Sequence, residues 1–191
     1  MRIRSASVDD APAMGRVMVE SWLTAHRGQM PHTAWEKRRD EWTPEVSAHA
    51  WERSLRERDA GDAAGDVVLV AVDDDGILAG LVLGLAAEDD TSGRVAEIAA
   101  LYVGPDRQGH GVGRLLLQAV AGELAWKEFA MLHIAVLTAN LPARGFYEAL
   151  GGVDIGERWF DEEGHQLPER VYEWPDISVL TDRPVPDEAT R

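Results

Sequence analysis

The chain has 191 residues, with 34 acidic side chains against 19 Lys and Arg, a formal charge of −15 and no cysteine. That length suits one domain with a hydrophobic core of its own. The charge argues against neutralising the phosphates of a nucleic acid or docking on anionic lipid, and the missing thiols exclude a disulfide framework, a thiolate nucleophile and a Cys-ligated metal.

In chain order, Ile3 opens a short strand that Ser7, Asp9 and Asp10 end. Asp9 or Asp10 suits a helix cap with Pro12 in the first turn. Met14, Val17, Met18, Ser21 and Trp22 then recur at helical spacing, which predicts a helix over 10–26, broken by Gly28 and Pro31. Residues 33–59 read as a second helical region, interrupted at Thr43-Pro44 and carrying Trp35, Trp42 and Trp51. VVLVAV from Val67 has a buried-strand composition, DDDG at 73–76 is a tight turn, and ILAGLVLGLA completes a hairpin. Glu88-Asp89-Asp90 with Gly93 forms an acidic loop. RVAEIAALYV (94–103) is the next strand, stopped by Gly104-Pro105-Asp106. A helix follows from about Gly111 to Lys127, with Val112, Leu115, Leu116, Ala119 and Val120 on one face.

MLHIAVL (131–137) is another strand, and residues 141–150 form a short helix stopped by Gly151-Gly152. A last hairpin pairs 153–160 with 167–174 across the DEEGH turn. The order β-αα-βββ-α-β-α-ββ predicts one α+β domain around a mixed sheet over 1–174. The tail 175–191 lacks periodicity and is expected to be partly ordered at best. The longest apolar runs are strand-sized, and MRIRSASVDD turns acidic before any apolar stretch. Neither a membrane span nor a signal peptide is expected, and the expected location is cytoplasmic.

The chemically informative segment is Arg107-Gln108-Gly109-His110-Gly111-Val112-Gly113-Arg114. It joins a buried strand to an amphipathic helix, and no Ser, Thr, Asp or Asn stands at the cap. The first N–H groups of a helix have no internal partner, and glycine lets a ligand approach the backbone, so the turn suits a phosphate. Arg107 and Arg114 add positive charge. No GxxxxGK[ST] run exists, and glycines at 109, 111 and 113 miss the G-x-G-x-x-G spacing. On local features alone, a tight turn without a ligand is the competing reading.

Gln108-Gly109-His110-Gly111-Val112-Gly113 resembles motif A of the GCN5-related N-acetyltransferase superfamily, Gln or Arg, x, x, Gly, x, Gly or Ala. Asn140-Leu-Pro-Ala143-Arg-Gly-Phe146-Tyr147-Glu-Ala-Leu150-Gly151 is similar to its second landmark, and Trp22 to Pro31 is similar to a segment after the first helix. The resemblance covers residue 1 to about 174. It implies an acyl-CoA N-acyltransferase fold and an enzyme that moves the acetyl group of acetyl-CoA directly to a primary amine of a small molecule or peptide. A non-catalytic acyl-CoA-binding protein of the same fold is the alternative.

By this resemblance Gln108, Gly109, Gly111, Val112, Gly113 and Arg114 cradle the CoA pyrophosphate, with His110 inside the cradle. Leu101 and Val103 pair with pantetheine, and Asn140 hydrogen-bonds its arm. Tyr147 protonates the leaving thiolate; the bland alternative is a core tyrosine bonded to a backbone acceptor. Glu97 receives the acceptor's proton directly or through water; the alternative is an ion pair with an arginine. Strand alternation puts Glu97, Ala99, Leu101 and Val103 on one face, unless a bulge intervenes. Gly152 stands where relatives often carry Phe, and looser packing is expected there. Trp22, His26 and Trp159 are candidate acceptor walls, although His26 and His32 also suit solvent or a cap. Residues 88–90 and the DEEG turn would draw a cationic acceptor such as a polyamine or a protein amino group. No histidine spacing suits a metal. A sheet edge or the tail offers a surface for a homodimer.

Overall fold

Short-range chemistry starts each helix of this computed structural model, which describes residues 1–61, 65–88 and 90–181. Strand β1 (Arg2–Ser5) leads through a 3-10 turn into α1 (Ala11–His26). Asp10 joins the two: it accepts from the Ser7 N–H at 2.8 Å and from both arms of Arg4 at 2.7 and 2.8 Å. After α2 (His32–Glu41), Thr43 accepts from the Val46 N–H and Pro44 opens α3 (Pro44–Ala60). Proline fits there because the first helical position needs no donor.

Next come β2 (Val67–Val72), β3 (Leu78–Ala86), β4 (Val95–Val103), α4 (Val112–Trp126), β5 (Met131–Leu137), α5 (Leu141–Ala149), β6 (Val153–Glu162), β7 (His165–Trp174) and α6 (Ser178–Thr181). The seven strands form one sheet ordered β1-β2-β3-β4-β5-β7-β6, antiparallel except between β4 and β5. All six residues of β2 are buried, because helices cover both faces. On one face Leu69, Ala71, Val82 and Ile98 meet Leu116, Val120 and Leu124 of α4. On the other, Val68, Val70, Leu81 and Ala100 meet Met14 of α1 with Trp51 and Leu55 of α3. We call these the α4 face and the α1 face.

Two irregularities shape the centre of the sheet. Leu83 pairs with Ala100 and Gly84 with Ile98, so Ala99 is an extra residue in β4. This bulge reverses the alternation expected for the strand. Ala96, Ile98, Leu101 and Val103 belong to the α4 face, whereas Ala100 and Tyr102 belong to the α1 face. Glu97 therefore does not share a face with Leu101 and Val103, contrary to the expectation from simple alternation. The second irregularity is a parting of strands. The β4–β5 ladder stops at Ile98–Ile134, yet β4 continues to Val103 and β5 to Leu137.

Packing also runs past Trp174. Ile177 is 3% and Leu180 1% exposed, both in the core beneath α4, so residues 175–181 belong to the domain. Residues 182–191, with Pro184 and Pro186, lie outside the described residues, as does Asp89 of the acidic loop. The looseness expected at Gly152 is absent. A Cβ there would stand 2.9 Å from the Trp174 ring, and the Trp174 indole N–H donates to the Leu150 carbonyl at 3.1 Å. The indole fills the space. Among the described residues, no helix is long and apolar enough to cross a membrane.

Candidate active site

Three short contacts set the turn before α4. The Gly104 N–H donates to the Ala79 carbonyl at 2.9 Å, Gln108 Nε2 donates to the Val103 carbonyl at 3.1 Å, and Arg107 Nη2 donates to Asp73 at 2.7 Å. Gln108 thus ties the turn to the strand end, and the Arg107 charge is matched by Asp73. Gly109 and Gly111 have φ of 77° and 80°, left-handed values that glycine takes without penalty. Gly111 stands at the cap of α4 with no capping side chain.

The first helical bond runs from the Leu115 N–H to the Gly111 carbonyl. The six N–H groups from Gly109 to Arg114 donate no hydrogen bond among the described residues. Gly109, His110 and Gly111 are exposed, and Arg114 has no ion pair among the described residues. His110 turns its Nδ1 onto the Gln108 carbonyl at 2.8 Å, so its ring folds against its own turn. A row of unpartnered donors at a positive helix end, beside an unmatched cation, fits the pyrophosphate of CoA.

Where β4 and β5 part, their facing edges leave backbone groups without a ladder. An amide-bearing chain laid in this notch would complete the ladder as an added strand does. Asn140 and Tyr147 stand on the β5 side. Asn140 Oδ1 caps α5 by accepting from the Ala143 N–H at 3.3 Å, and its amide nitrogen has no partner among the described residues. Tyr147 is 6% exposed and packs against Phe146, Tyr172 and Trp174. Its hydroxyl makes no hydrogen bond among the described residues, so the backbone-bonded alternative is not what the structure holds. Burial first, and the neighbouring Tyr102 second, push its pKa well above the ordinary phenol range. The phenol therefore stays protonated near pH 7 and keeps an O–H to offer.

On the α1 face, beyond Tyr102, charged and aromatic side chains of α1, α2 and the β6–β7 hairpin come together. Glu97 accepts from Arg158 Nη2 at 3.0 Å, while Arg158 Nε donates to Glu169 at 2.9 Å. One guanidinium serves two carboxylates. Arg38 of α2 lies over the rings of Trp22 and Trp42, at 5.5 and 4.5 Å from their centroids, and faces Glu162 at 3.6 Å. His26 stacks on Trp22 at 4.7 Å and gives its Nδ1 proton to the Trp22 carbonyl at 2.8 Å. Burial lowers its pKa, against a smaller opposing effect of that bond, so the ring is neutral near pH 7.

Trp22 and His26 belong to this cluster; Trp159 does not. It is 62% exposed, and alternation along β6 turns it away from the face that carries Arg158 and Glu162. His32 is an exposed partner of Glu36. Sequence reasoning missed Arg38, Tyr102, Arg158, Glu162 and Glu169. The signal was the period-2 placement of Arg158, Phe160 and Glu162, which marks one strand face.

Residues 30–152 match the family model described as Acetyltransferase (GNAT) family. The chain belongs to that family. YuaI, an uncharacterized N-acetyltransferase of Bacillus subtilis, is 27% identical over 183 residues, spanning 93% of this chain and 95% of its own. The ribosomal-protein-alanine N-acetyltransferase of Brucella melitensis superposes with a TM-score of 0.70 at 19% identity, over 91% of this chain and 99% of its own. The PaiA N-acetyltransferase of Thermoplasma acidophilum, crystallised with coenzyme A, gives 0.64 at 19% identity, over 88% and 96%. These structures share the fold. The GNAT chain described here is an acetyl-CoA-dependent N-acyltransferase.

Proposed function

We propose that this GNAT enzyme acetylates a primary amine, carried by a small molecule or a peptide, in the cytoplasm. The observation that carries the reading is the alignment of three features: the six open amides of residues 109–114, the notch between β4 and β5, and the unbonded Tyr147 hydroxyl. Bound acetyl-CoA supplies an activated acyl group whose sulfur must leave. The amides and Arg114 hold the diphosphate, the notch edges near Leu101 and Val103 hold the pantetheine, and Asn140 offers its free amide nitrogen to the same arm. Tyr147 gives its proton to the departing sulfur. Glu97, on the same face as Tyr102, takes the acceptor's proton through water; the Arg158 pair holds its carboxylate in place.

An amine panel scored for acetyl-CoA-dependent thiol release tests this. Turnover with alkylamines or a lysine peptide is expected. Thiol release with alcohols but no amine would contradict it.

A further inference from the structure

Strand β5 buries Leu132, Ile134 and Val136 in the core of the α4 face, so alternation turns His133 to the α1 face. The ladders set it in a row. Glu97 of β4 pairs with His133 on one side, and Glu173 of β7 pairs with it on the other. Both carboxylates share its face, because their neighbours Ala96, Ile98, Tyr172 and Trp174 belong to the α4 face. Adjacent strands stand about 4.8 Å apart, which places one imidazole between two carboxylates.

The hydrogen bonds fix which atoms are engaged. His133 Nε2 lies 2.8 Å from Glu173 Oε2. A carboxylate only accepts, so Nε2 carries the proton, and Nδ1 is the bare nitrogen of the neutral ring. Nδ1 has no partner among the described residues, and it is not one of their sealed atoms. Water therefore reaches it. Arg158 engages Oε1 of Glu97 and is shared with Glu169. Oε2 of Glu97 has no hydrogen bond among the described residues and is likewise unsealed. The side chains of Glu97, His133 and Glu173 are 24, 25 and 24% exposed, so the row is open to solvent. The charged groups around the imidazole are Glu97 of β4, Glu173 of β7 and, beyond them, Arg158 with Glu169. The ladder still joins the strands at Glu97–His133 and stops one pair later, at Ile98–Ile134. His133 thus stays beside Glu97 whatever fills the notch.

We propose that His133 is a proton relay, passing to solvent the proton that Glu97 takes from the acceptor amine, with Glu173 holding the ring. This deepens the amine-acetyltransferase reading and rests on it. An ammonium that becomes an amide sheds two protons; one ends on the CoA sulfur and the other must leave the site. That second proton goes from nitrogen through water to Glu97, then from the carboxyl group to Nδ1 of His133. The imidazolium so formed stands against the Glu173 carboxylate until it loses a proton to bulk water, which restores both residues. An imidazole exchanges protons readily near neutral pH, and an acceptor seated over Glu97 would close that carboxylate's own route to water.

Two measurements test this. Nitrogen-15 NMR of the imidazoles in the wild-type protein, assigned with His133→Gln, should show neutral His133 with its proton on Nε2. In Glu97→Gln, loss of a neighbouring negative charge should lower the titration midpoint of His133 by roughly half a unit. A neutral ring protonated on Nδ1, or a midpoint indifferent to Glu97→Gln, overturns the proposal. In turnover of the fastest amine of the panel, His133→Gln keeps a donor for Glu173 but cannot take up a proton. It should lower kcat about tenfold or more with CoA affinity and the KM for amine unchanged, and added imidazole should restore kcat in the variant without raising that of wild type. An unchanged kcat, a loss that imidazole does not restore, or a parallel loss of CoA affinity overturns the relay, since a merely structural histidine gives no such rescue. Absence of thiol release with every amine would contradict the acetyltransferase reading instead, and the imidazole spectra would still decide the coupling of Glu97 to His133.

Discussion

Tyr147 has a hydroxyl without a partner among the described residues, inside an aromatic cluster, so replacing it with Phe removes a donor and little packing. If that donor serves the sulfur, Tyr147→Phe lowers kcat by about a hundredfold and leaves CoA affinity nearly intact; an unchanged kcat would remove the assignment. Glu97→Gln, by contrast, also frees half of Arg158, so its effect includes a shift of Glu169 toward that guanidinium. The two residues were unequally readable from sequence. Tyr147 follows from its spacing after Asn140. The facing of Glu97 does not, because Ala99 and Ala100 give no local sign of which one the sheet leaves unpaired. Glu162 was hidden for another reason: Asp-Glu-Glu-Gly reads as a solvated turn, and only the pairing to His165 places its second residue in the strand.

At the scale of elements, the strands were legible because helices cover both faces of β2, β3 and β4, which leaves continuous apolar runs. The break before α3 was legible from Thr43-Pro44. The short helix α6 was not, since four residues are too few to show a period. Its contribution can be weighed directly: Leu180→Ala should cost about 2–5 kcal/mol in denaturant unfolding, whereas a cost near zero would return residues 175–181 to a loosely held tail. The junction of β1 with α1 carries a pH signature. Arg4, and then the Ser7 amide and hydroxyl, hold Asp10 down to about 2 against the opposing effect of burial. A carboxylate depressed on folding contributes stability above its unfolded pKa and loses it as pH falls through the folded value. Wild type should therefore lose about 2 kcal/mol between roughly pH 4 and pH 2 that Asp10→Asn does not. Parallel acid limbs for the two proteins would show that Asp10 is not so held.

Across the whole molecule, a charge of −15 coexists with a local anion site. The two are compatible because the donors at 109–114 are backbone groups with fixed direction, and Arg114 beside them has no ion pair among the described residues. Long-range repulsion slows the approach of CoA, and salt should screen it, so association should quicken with ionic strength. On the α1 face, Arg158 is shared between Glu97 and Glu169. Under the proposed function, the donor and the amine acceptor meet where β4 and β5 separate.

The central claim is that backbone amides 109–114 grip the CoA diphosphate. Amide-resolved NMR titration of the wild-type protein with CoA tests it most directly. The account predicts the largest shifts, and slowed hydrogen exchange, at Gly109 to Arg114. Saturable CoA binding that leaves those six amides unmoved, or no binding at millimolar CoA, would contradict it.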